Sequence, residues 1–338
     1  MKKYISILNV TACAAVVLIH TDEAFWTFSY APYWLFANFL HCLLLFCVPV
    51  FFMISGCNLV NYRNKYSTKE FAKKRFTKTF IPFIGWSFIS LIATAIIKTD
   101  NSYELSVSSV ISGIFNCKYI NIYWFFIALF SVYLCIPVIS LIPENKRQKA
   151  FLYMLSMWLL FNILLPGITK YTFIEWNSNM KFPMVTDYMF YIIAGYYIDN
   201  YTIKRHYRYI IYILGTAGLA ANIILTYSYS YKSAAVSAPV GDYLSVTTLI
   251  YSIAIFTAFK YMPEKATSLL YKLCTPVNNL TFGIYLSHIY FWILIKHSGF
   301  FNIFNPVVII AGAIVTFIAA IILTVIMKKI PYIKILVP

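Results

Sequence analysis

Residues 5–26 read ISILNVTACAAVVLIHTDEAFW, and this stretch decides which kind of fold the chain can form. As an α-helix it is long and apolar enough to cross most of a bilayer. It carries one amide, that of Asn9, and, eleven residues later, one imidazole, that of His20. Eleven residues are close to three helical turns, so both side chains project from about the same face, roughly 16 Å apart along the axis.

His20 is the first candidate functional residue, because an ionisable group at membrane depth is costly. The alternative is that its ring only hydrogen-bonds to a neighbouring helix. On a continuing helix Glu23 lies one turn later on the same face, where a carboxylate would fix the imidazole tautomer, as a general base requires. Asp22 lies off that face, and we expect it to end the helix in water; for Glu23 that alternative stays open.

The composition of the whole chain agrees with a membrane protein. Of 338 residues, 61% are hydrophobic and 11% are charged, and the mean hydropathy is +0.74. The net charge of +16 does not indicate a nucleic-acid partner, because the basic residues lie in short stretches between apolar runs, as orientation in a lipid bilayer requires. Seven scattered cysteines form no CxxC pair or Cys/His cluster, so we predict neither a disulfide framework nor a metal site.

Apolar runs predict a polytopic, all-α transmembrane bundle of about ten spans in a single membrane domain, residues 1–338. With the N-terminus in the cytoplasm, 21 of the 27 Lys and Arg residues fall on the cytoplasmic side, so both termini are predicted to be cytoplasmic. The sixth span is the weakest, with eleven uncharged residues between Asp187 and Asp199. The approximate limits are 4–21, 34–60, 79–97, 121–142, 149–168, 183–199, 208–228, 243–260, 279–296 and 305–327.

A basic segment follows the second predicted span and reads RNKYSTKEFAKKRFTK from Arg63 to Lys78. Anchoring to anionic lipid is the ordinary role of such a loop. The alternative is a phosphate-binding site at the mouth of a cavity, because Arg and Lys are the usual partners of phosphate groups. Position in the sequence does not separate these two roles.

Six short segments carry a family resemblance when they are taken in order. They are the first-span pattern with His20, FFMISG at 51–56, KRFTK at 74–78 followed by Pro82 and Trp86, YWFF at 123–126, AGYY at 194–197 and FGIYLSH at 282–288. Together they resemble the acyltransferase-3 family of integral-membrane O-acyltransferases over nearly the whole chain. Members of that family move an acyl group, often acetyl, from a cytoplasmic donor such as acyl-CoA to a hydroxyl of an envelope glycan or glycolipid.

The resemblance also implies roles for single residues. The family's histidine falls on His20, and its arginine, eleven residues earlier, falls on Asn9, where this chain has no positive charge. The family's Arg-x-x-Arg pair falls on Arg75 and Lys78, which keep both charges and would hold the donor phosphates.

Two further positions belong to matching segments. Trp124 is a candidate for the donor site, although packing or a place in the aromatic belt would also explain it. His288 is a possible second site, or a buried histidine that ties helices together.

The expected function is therefore a multi-pass acyltransferase of the bacterial plasma membrane. His20 would act as general base with Glu23 beside it, and Arg75, Lys78, Asn9 and Trp124 would bind the donor. No bound cofactor is expected, since acyl-CoA is a substrate, and the acceptor would be an envelope glycan or lipid-linked sugar.

The chain has no Gly-x-Ser-x-Gly elbow, Walker loop or zincin helix, which excludes soluble hydrolase and ATPase mechanisms. The alternative is a transporter or exporter of an amino acid or glycan intermediate, with His20 and Asp187 as binding or relay residues.

Overall fold

The structure is a computed structural model that describes residues 2–97, 106–169, 176–177, 179–185, 187–299, 302 and 304–338. Every regular element within these residues is helical, which confirms the predicted all-α class. Two π-helical segments, Phe76–Phe80 and Leu159–Leu164, join α4 to α5 and α8 to α9. The α-helices are α1 (Lys3–Thr21), α2 (Pro32–Leu44), α3 (Cys47–Leu59), α4 (Thr68–Arg75), α5 (Ile81–Ile97), α6 (Val107–Phe115), α7 (Trp124–Ile139), α8 (Glu144–Trp158), α9 (Leu165–Thr169), α10 (Met189–Asn200), α11 (Arg205–Ser233), α12 (Val246–Lys260), α13 (Glu264–Asn278), α14 (Thr281–His297) and α15 (Pro306–Lys329).

Seven helical segments of the described chain are long and apolar enough to cross a membrane. An eighth candidate is the pair of α12 and α13, which is bent by 100° at its break. The segments are Lys3–Thr21, Pro32–Asn64, Thr68–Ala95, Asn121–Ile139, Glu144–Ile168, Arg205–Ser233 and Pro306–Lys329. Each of them overlaps one of the ten predicted spans.

The three other predicted spans correspond to the shorter helices α10, α12 and α14, of 12, 15 and 17 residues. At 1.5 Å per residue, a helix as short as α10 covers about 18 Å of a hydrocarbon layer that is about 30 Å thick. The number of spans and the cytoplasmic termini therefore stay predictions. Two cations of the charge count, Lys98 and Lys170, lie outside the described residues.

Helix α1 lies at the centre of the bundle and contacts α2, α3, α12, α13, α14 and α15. Its buried residues lie on all sides of the helix, from Tyr4 to Thr21, as expected of a helix that is enclosed by protein. Polar side chains on α1 are therefore surrounded by other helices, and each of them needs a partner there.

A very close helix contact joins α3 to α10 through two glycines. A methyl group placed on Gly56 would lie 2.0 Å from the carbonyl oxygen of Ile192, and one placed on Gly195 would lie 2.2 Å from that of Met53. These glycines belong to the FFMISG and AGYY segments, which lie far apart in the sequence and pack against each other here. Both segments thus hold two backbones together at a distance that only glycine permits.

We expect Gly56→Ala and Gly195→Ala to lower the melting temperature of the detergent-solubilised protein by several degrees. The added methyl group meets a carbonyl oxygen of the main chain, which cannot rotate away, and overpacking of this kind typically costs about 1–3 kcal/mol. Size-exclusion chromatography after graded heating measures the effect.

Gly167→Ala is the matched control, because nothing lies within 4 Å of the added methyl group. Alanine favours a helix by up to about 1 kcal/mol over glycine, so this variant should melt at the same temperature or slightly higher. An equal fall in melting temperature for Gly56→Ala, Gly195→Ala and Gly167→Ala would contradict the packing argument.

Single cysteines at Lys65 and Ala235 test the topology, in a background without the half-buried Cys57, Cys135 and Cys274. Five predicted spans separate the two positions, so a membrane-impermeant maleimide should label position 235 in intact cells and position 65 only after permeabilisation. If the region of α10 does not cross the membrane, four spans remain between them. Labelling of both positions from the same side would then overturn the ten-span topology.

Candidate active site

A cavity of about 300 Å³ lies where α4 passes into α5, and it brings together three residues predicted to bind the donor. Asn9 lines it from α1, whereas Arg75 lines it from the end of α4 and Lys78 from the π-helical segment that follows. Tyr133 of α7 and Tyr285 of α14 also line its wall. The juxtaposition of Asn9 with the two cations is a product of the tertiary structure, because more than sixty residues separate them in the chain.

A π-helical turn directs the two cations into this cavity. Arg75 is the last residue of α4, and Lys78 and Thr79 lie in the π-helical segment that follows. A π turn contains more residues than an α turn, and single π turns inside helices are frequent at functional sites. All three side chains consequently line one cavity.

Neither Arg75 nor Lys78 forms an ion pair with a side chain of the described residues. Five carboxylates pair with other cations, and the one nearest in sequence, Glu70, pairs with Lys74 at 2.8 Å. The Arg75 guanidinium lies 5.5 Å from the centre of the Tyr133 ring, and its buried Nε has no hydrogen-bond partner. Two cations that lack a carboxylate partner make the cavity attractive to an anionic ligand.

Asn9 has a different environment. Its Nδ2 donates to Asn278 Oδ1 at 3.0 Å and to Thr281 Oγ1 at 2.9 Å, at the junction of α13 and α14. Both amide hydrogens are thus used to hold α1 against that junction. The side chain lines the cavity, but with both amide hydrogens already bonded it has none left to donate to a phosphate.

His20 and His288 form a hydrogen-bonded pair. His20 Nδ1 lies 2.9 Å from His288 Nε2, and the two rings stack with centroids 5.1 Å apart. His288 Nδ1 lies 2.7 Å from the carbonyl oxygen of Tyr285. Both alternatives that the sequence left open, a functional histidine and a histidine that bonds a neighbouring helix, are compatible with this arrangement.

The backbone carbonyl at His288 fixes the tautomers of both rings. A carbonyl oxygen only accepts, so His288 carries its hydrogen on Nδ1 and the Nε2 of the neutral ring accepts. His20 must then donate its Nδ1 hydrogen to His288 Nε2. This leaves His20 Nε2 with a free lone pair, which is the form that a general base requires.

Glu23 does not bond His20. Its Oε1 accepts from Trp292 Nε1 at 2.7 Å, and its Oε2 forms an ion pair with Lys296. The predicted shared face assumed a continuing α-helix, whereas α1 ends at Thr21 and residues Glu23–Trp26 form a 3-10 turn. The group that orients His20 in the structure is therefore an imidazole and not the carboxylate one turn away.

Asp22 is buried, although we expected it to end the helix in water. The side chain is fully inaccessible, and neither carboxylate oxygen has a hydrogen-bond partner. Burial raises the pKa of the Asp22 carboxyl to about 8. The group is thus largely protonated and uncharged at neutral pH, which lowers the cost of its burial.

A second, smaller cavity of about 20 Å³ lies against His20. Trp124 lines this cavity and not the larger one, and its ring stacks on Tyr243 with centroids 5.6 Å apart. Phe125 and Tyr285 line both cavities and separate them.

Sequence reasoning missed Tyr285, whose carbonyl accepts from His288 and whose hydroxyl donates to the carbonyl oxygen of Ile122 at 2.6 Å. Its place three residues before His288, in the FGIYLSH segment, was the available signal.

Comparison with known proteins assigns the chain to a family. A family model described as an acyltransferase domain, that of the acyltransferase-3 family, matches residues 2–325. The "Putative membrane-bound acyltransferase YfiQ" of Bacillus subtilis (strain 168) is 22% identical over 318 residues, which cover 86% of this chain and 81% of that protein. No solved structure matches the chain. The match along nearly the whole chain confirms the resemblance drawn from the sequence: the protein is a membrane acyltransferase of the acyltransferase-3 family.

Proposed function

We propose that the protein transfers an acyl group, in the simplest case acetyl, from acyl-CoA to a hydroxyl of an envelope glycan or lipid-linked sugar in the bacterial plasma membrane. One observation carries this proposal: a cavity with two unpaired cations and a cavity with a tautomer-fixed histidine share the walls Phe125 and Tyr285. A long donor with phosphates at one end and a thioester at the other matches such a pair of cavities.

Arg75 and Lys78 would hold the donor phosphates. Arginine and lysine without carboxylate partners gain charge-assisted hydrogen bonds when a phosphate binds between them. The Arg75 Nε, buried and without a partner, would find its acceptor there. We place this cavity on the cytoplasmic side, where the charge asymmetry predicts the basic segment to lie.

His20 would take the proton of the acceptor hydroxyl on its Nε2. The hydroxyl oxygen then attacks the thioester carbonyl carbon, the C–S bond breaks, and the leaving thiolate receives the proton from His20. His288 accepts the Nδ1 hydrogen of His20 throughout, so the positive charge that forms on His20 is shared with a second ring. General-base catalysis typically contributes about 10² to 10⁴ in rate.

The transporter alternative gave Asp187 a relay role. Its side chain is exposed, whereas His20 and His288 lie inside the bundle. The described residues show no hydrogen bond between Asp187 and either histidine, and the family model that matches the chain is that of acyltransferases, so we do not retain this alternative.

The double variant Arg75→Gln with Lys78→Gln should raise KM for acetyl-CoA at least tenfold and change kcat little. The variant removes both cations of the larger cavity while keeping polar side chains of similar length. Release of CoA thiol by purified protein, with a cell-envelope fraction as acceptor, gives both constants.

Lys69→Gln with Lys73→Gln is the matched control, because both lysines lie on α4, are exposed and do not line the cavity. It loses the same charge and should leave KM unchanged. If both double variants raised KM equally, or if only membrane orientation changed, lipid anchoring would be the role of the segment.

His20→Gln should lower kcat by about a hundredfold or more, while KM for acetyl-CoA stays close to that of the wild type. Glutamine can still hydrogen-bond His288 but cannot take a proton at neutral pH. The exposed His297, changed to Gln, serves as control and should retain full turnover.

Near-normal turnover of His20→Gln would leave His20 as a packing residue. His288 adds a graded test: His288→Gln keeps an acceptor for the Nδ1 hydrogen of His20, so it should retain more activity than His288→Leu. Equal losses in the two His288 variants would contradict the tautomer argument.

A further inference from the structure

We infer that the small cavity beside His20 receives the acyl group of the donor and restricts transfer to acyl groups of acetyl size, with Val16 and Val48 setting the limit. This inference rests on the proposed function. It adds a size limit for the transferred group and the residues that impose it.

The position of the cavity determines which part of the donor can reach it. Phe125 and Tyr285 separate it from the larger cavity that holds Arg75 and Lys78. A donor bound by its phosphates at those cations must pass the two rings to approach His20. The thioester end must lie beside His20, because His20 deprotonates the acceptor hydroxyl that attacks the thioester carbonyl.

The volume of the cavity sets the size of the group. Its 20 Å³ is enough for about one water-sized group, which is also about the size of a methyl group. An acetyl group fills this space with its methyl. A propionyl or butyryl group places one or two further methylenes against side chains that are already packed.

The lining combines aliphatic walls with polar groups. Val16, Ile19, Val48 and Ile122 contribute the aliphatic side chains, whereas His20, Trp124 and Tyr243 bring polar atoms to the same cavity. A thioester carries both kinds of group, a polar carbonyl and an apolar methyl. The aliphatic part of the lining is where a methyl group would pack.

Val16 and Val48 are the residues best placed to impose the limit. Val16 lies one turn before His20 on α1, Val48 lies on α3, and both side chains are buried. Valine is branched at Cβ and holds one rotamer strongly in a helix, so neither side chain can rotate away to admit a longer group. Truncation to alanine removes two methyl groups from either wall.

The test compares acetyl-, propionyl- and butyryl-CoA as donors for the purified protein with a cell-envelope fraction, with kcat/KM from thiol release as the readout. We expect the wild type to prefer acetyl over propionyl at least tenfold, and over butyryl by more. Val16→Ala and Val48→Ala should each raise the propionyl-to-acetyl ratio at least fivefold.

Val17→Ala is the matched control. Val17 adjoins Val16 and is equally buried at 1% exposure, but it packs in the cluster of Cys13, Ile284 and Ala320, away from the cavity. The propionyl-to-acetyl ratio of kcat/KM for Val17→Ala should equal that of the wild type. Two valines on different helices keep the test valid if one variant fails to fold.

The outcomes separate this inference from the proposed function. A wild type that uses all three donors equally, or a Val17→Ala ratio that shifts as far as that of Val16→Ala, overturns the acyl-size limit and leaves the transferase function intact. A wild type that turns over none of the three donors overturns the proposed acyl-CoA donor, and the size limit with it.

Discussion

The hydrogen bond between His20 and His288 is the interaction on which the proposed chemistry depends. It joins α1, the central helix, to α14, and it is anchored at one end by a backbone carbonyl that cannot change its role. A carboxylate in place of the His288 imidazole would have brought a negative charge into the interior of the bundle, where charge is costly. The imidazole of His288 orients His20 and can share its proton without that cost.

Two other features of the site follow from how the helices are held together. The bonds from Asn9 to the α13–α14 junction fix α1 against α14 near one end, and the histidine pair fixes the same two helices eleven residues later. Between these contacts, the wall of Phe125 and Tyr285 divides the interior into a cationic cavity and a small apolar one. The amide at position 9 therefore has a structural place that does not require the charge of the family's arginine.

The segments that carried the family resemblance turn out to differ in what they do. FFMISG and AGYY pack two backbones together through Gly56 and Gly195. KRFTK enters a π-helical turn and lines the cationic cavity, and FGIYLSH supplies both the dividing ring of Tyr285 and the imidazole of His288. A short motif thus does not reveal by itself whether it serves packing or chemistry, because either role constrains the same residues.

The sequence by itself determined the helical class, the family, and the grouping of Arg75, Lys78 and His20 as candidate site residues, because hydropathy, charge and motif order are properties of the linear chain. It could not determine that His288 and not Glu23 orients His20, that Asp22 is buried, or that Trp124 lies beside the histidine and not beside the cations. Those outcomes depend on where α1 ends and on which helices enclose it. Only the tertiary structure decided them, because contacts between residues more than 200 positions apart leave no periodicity in the sequence.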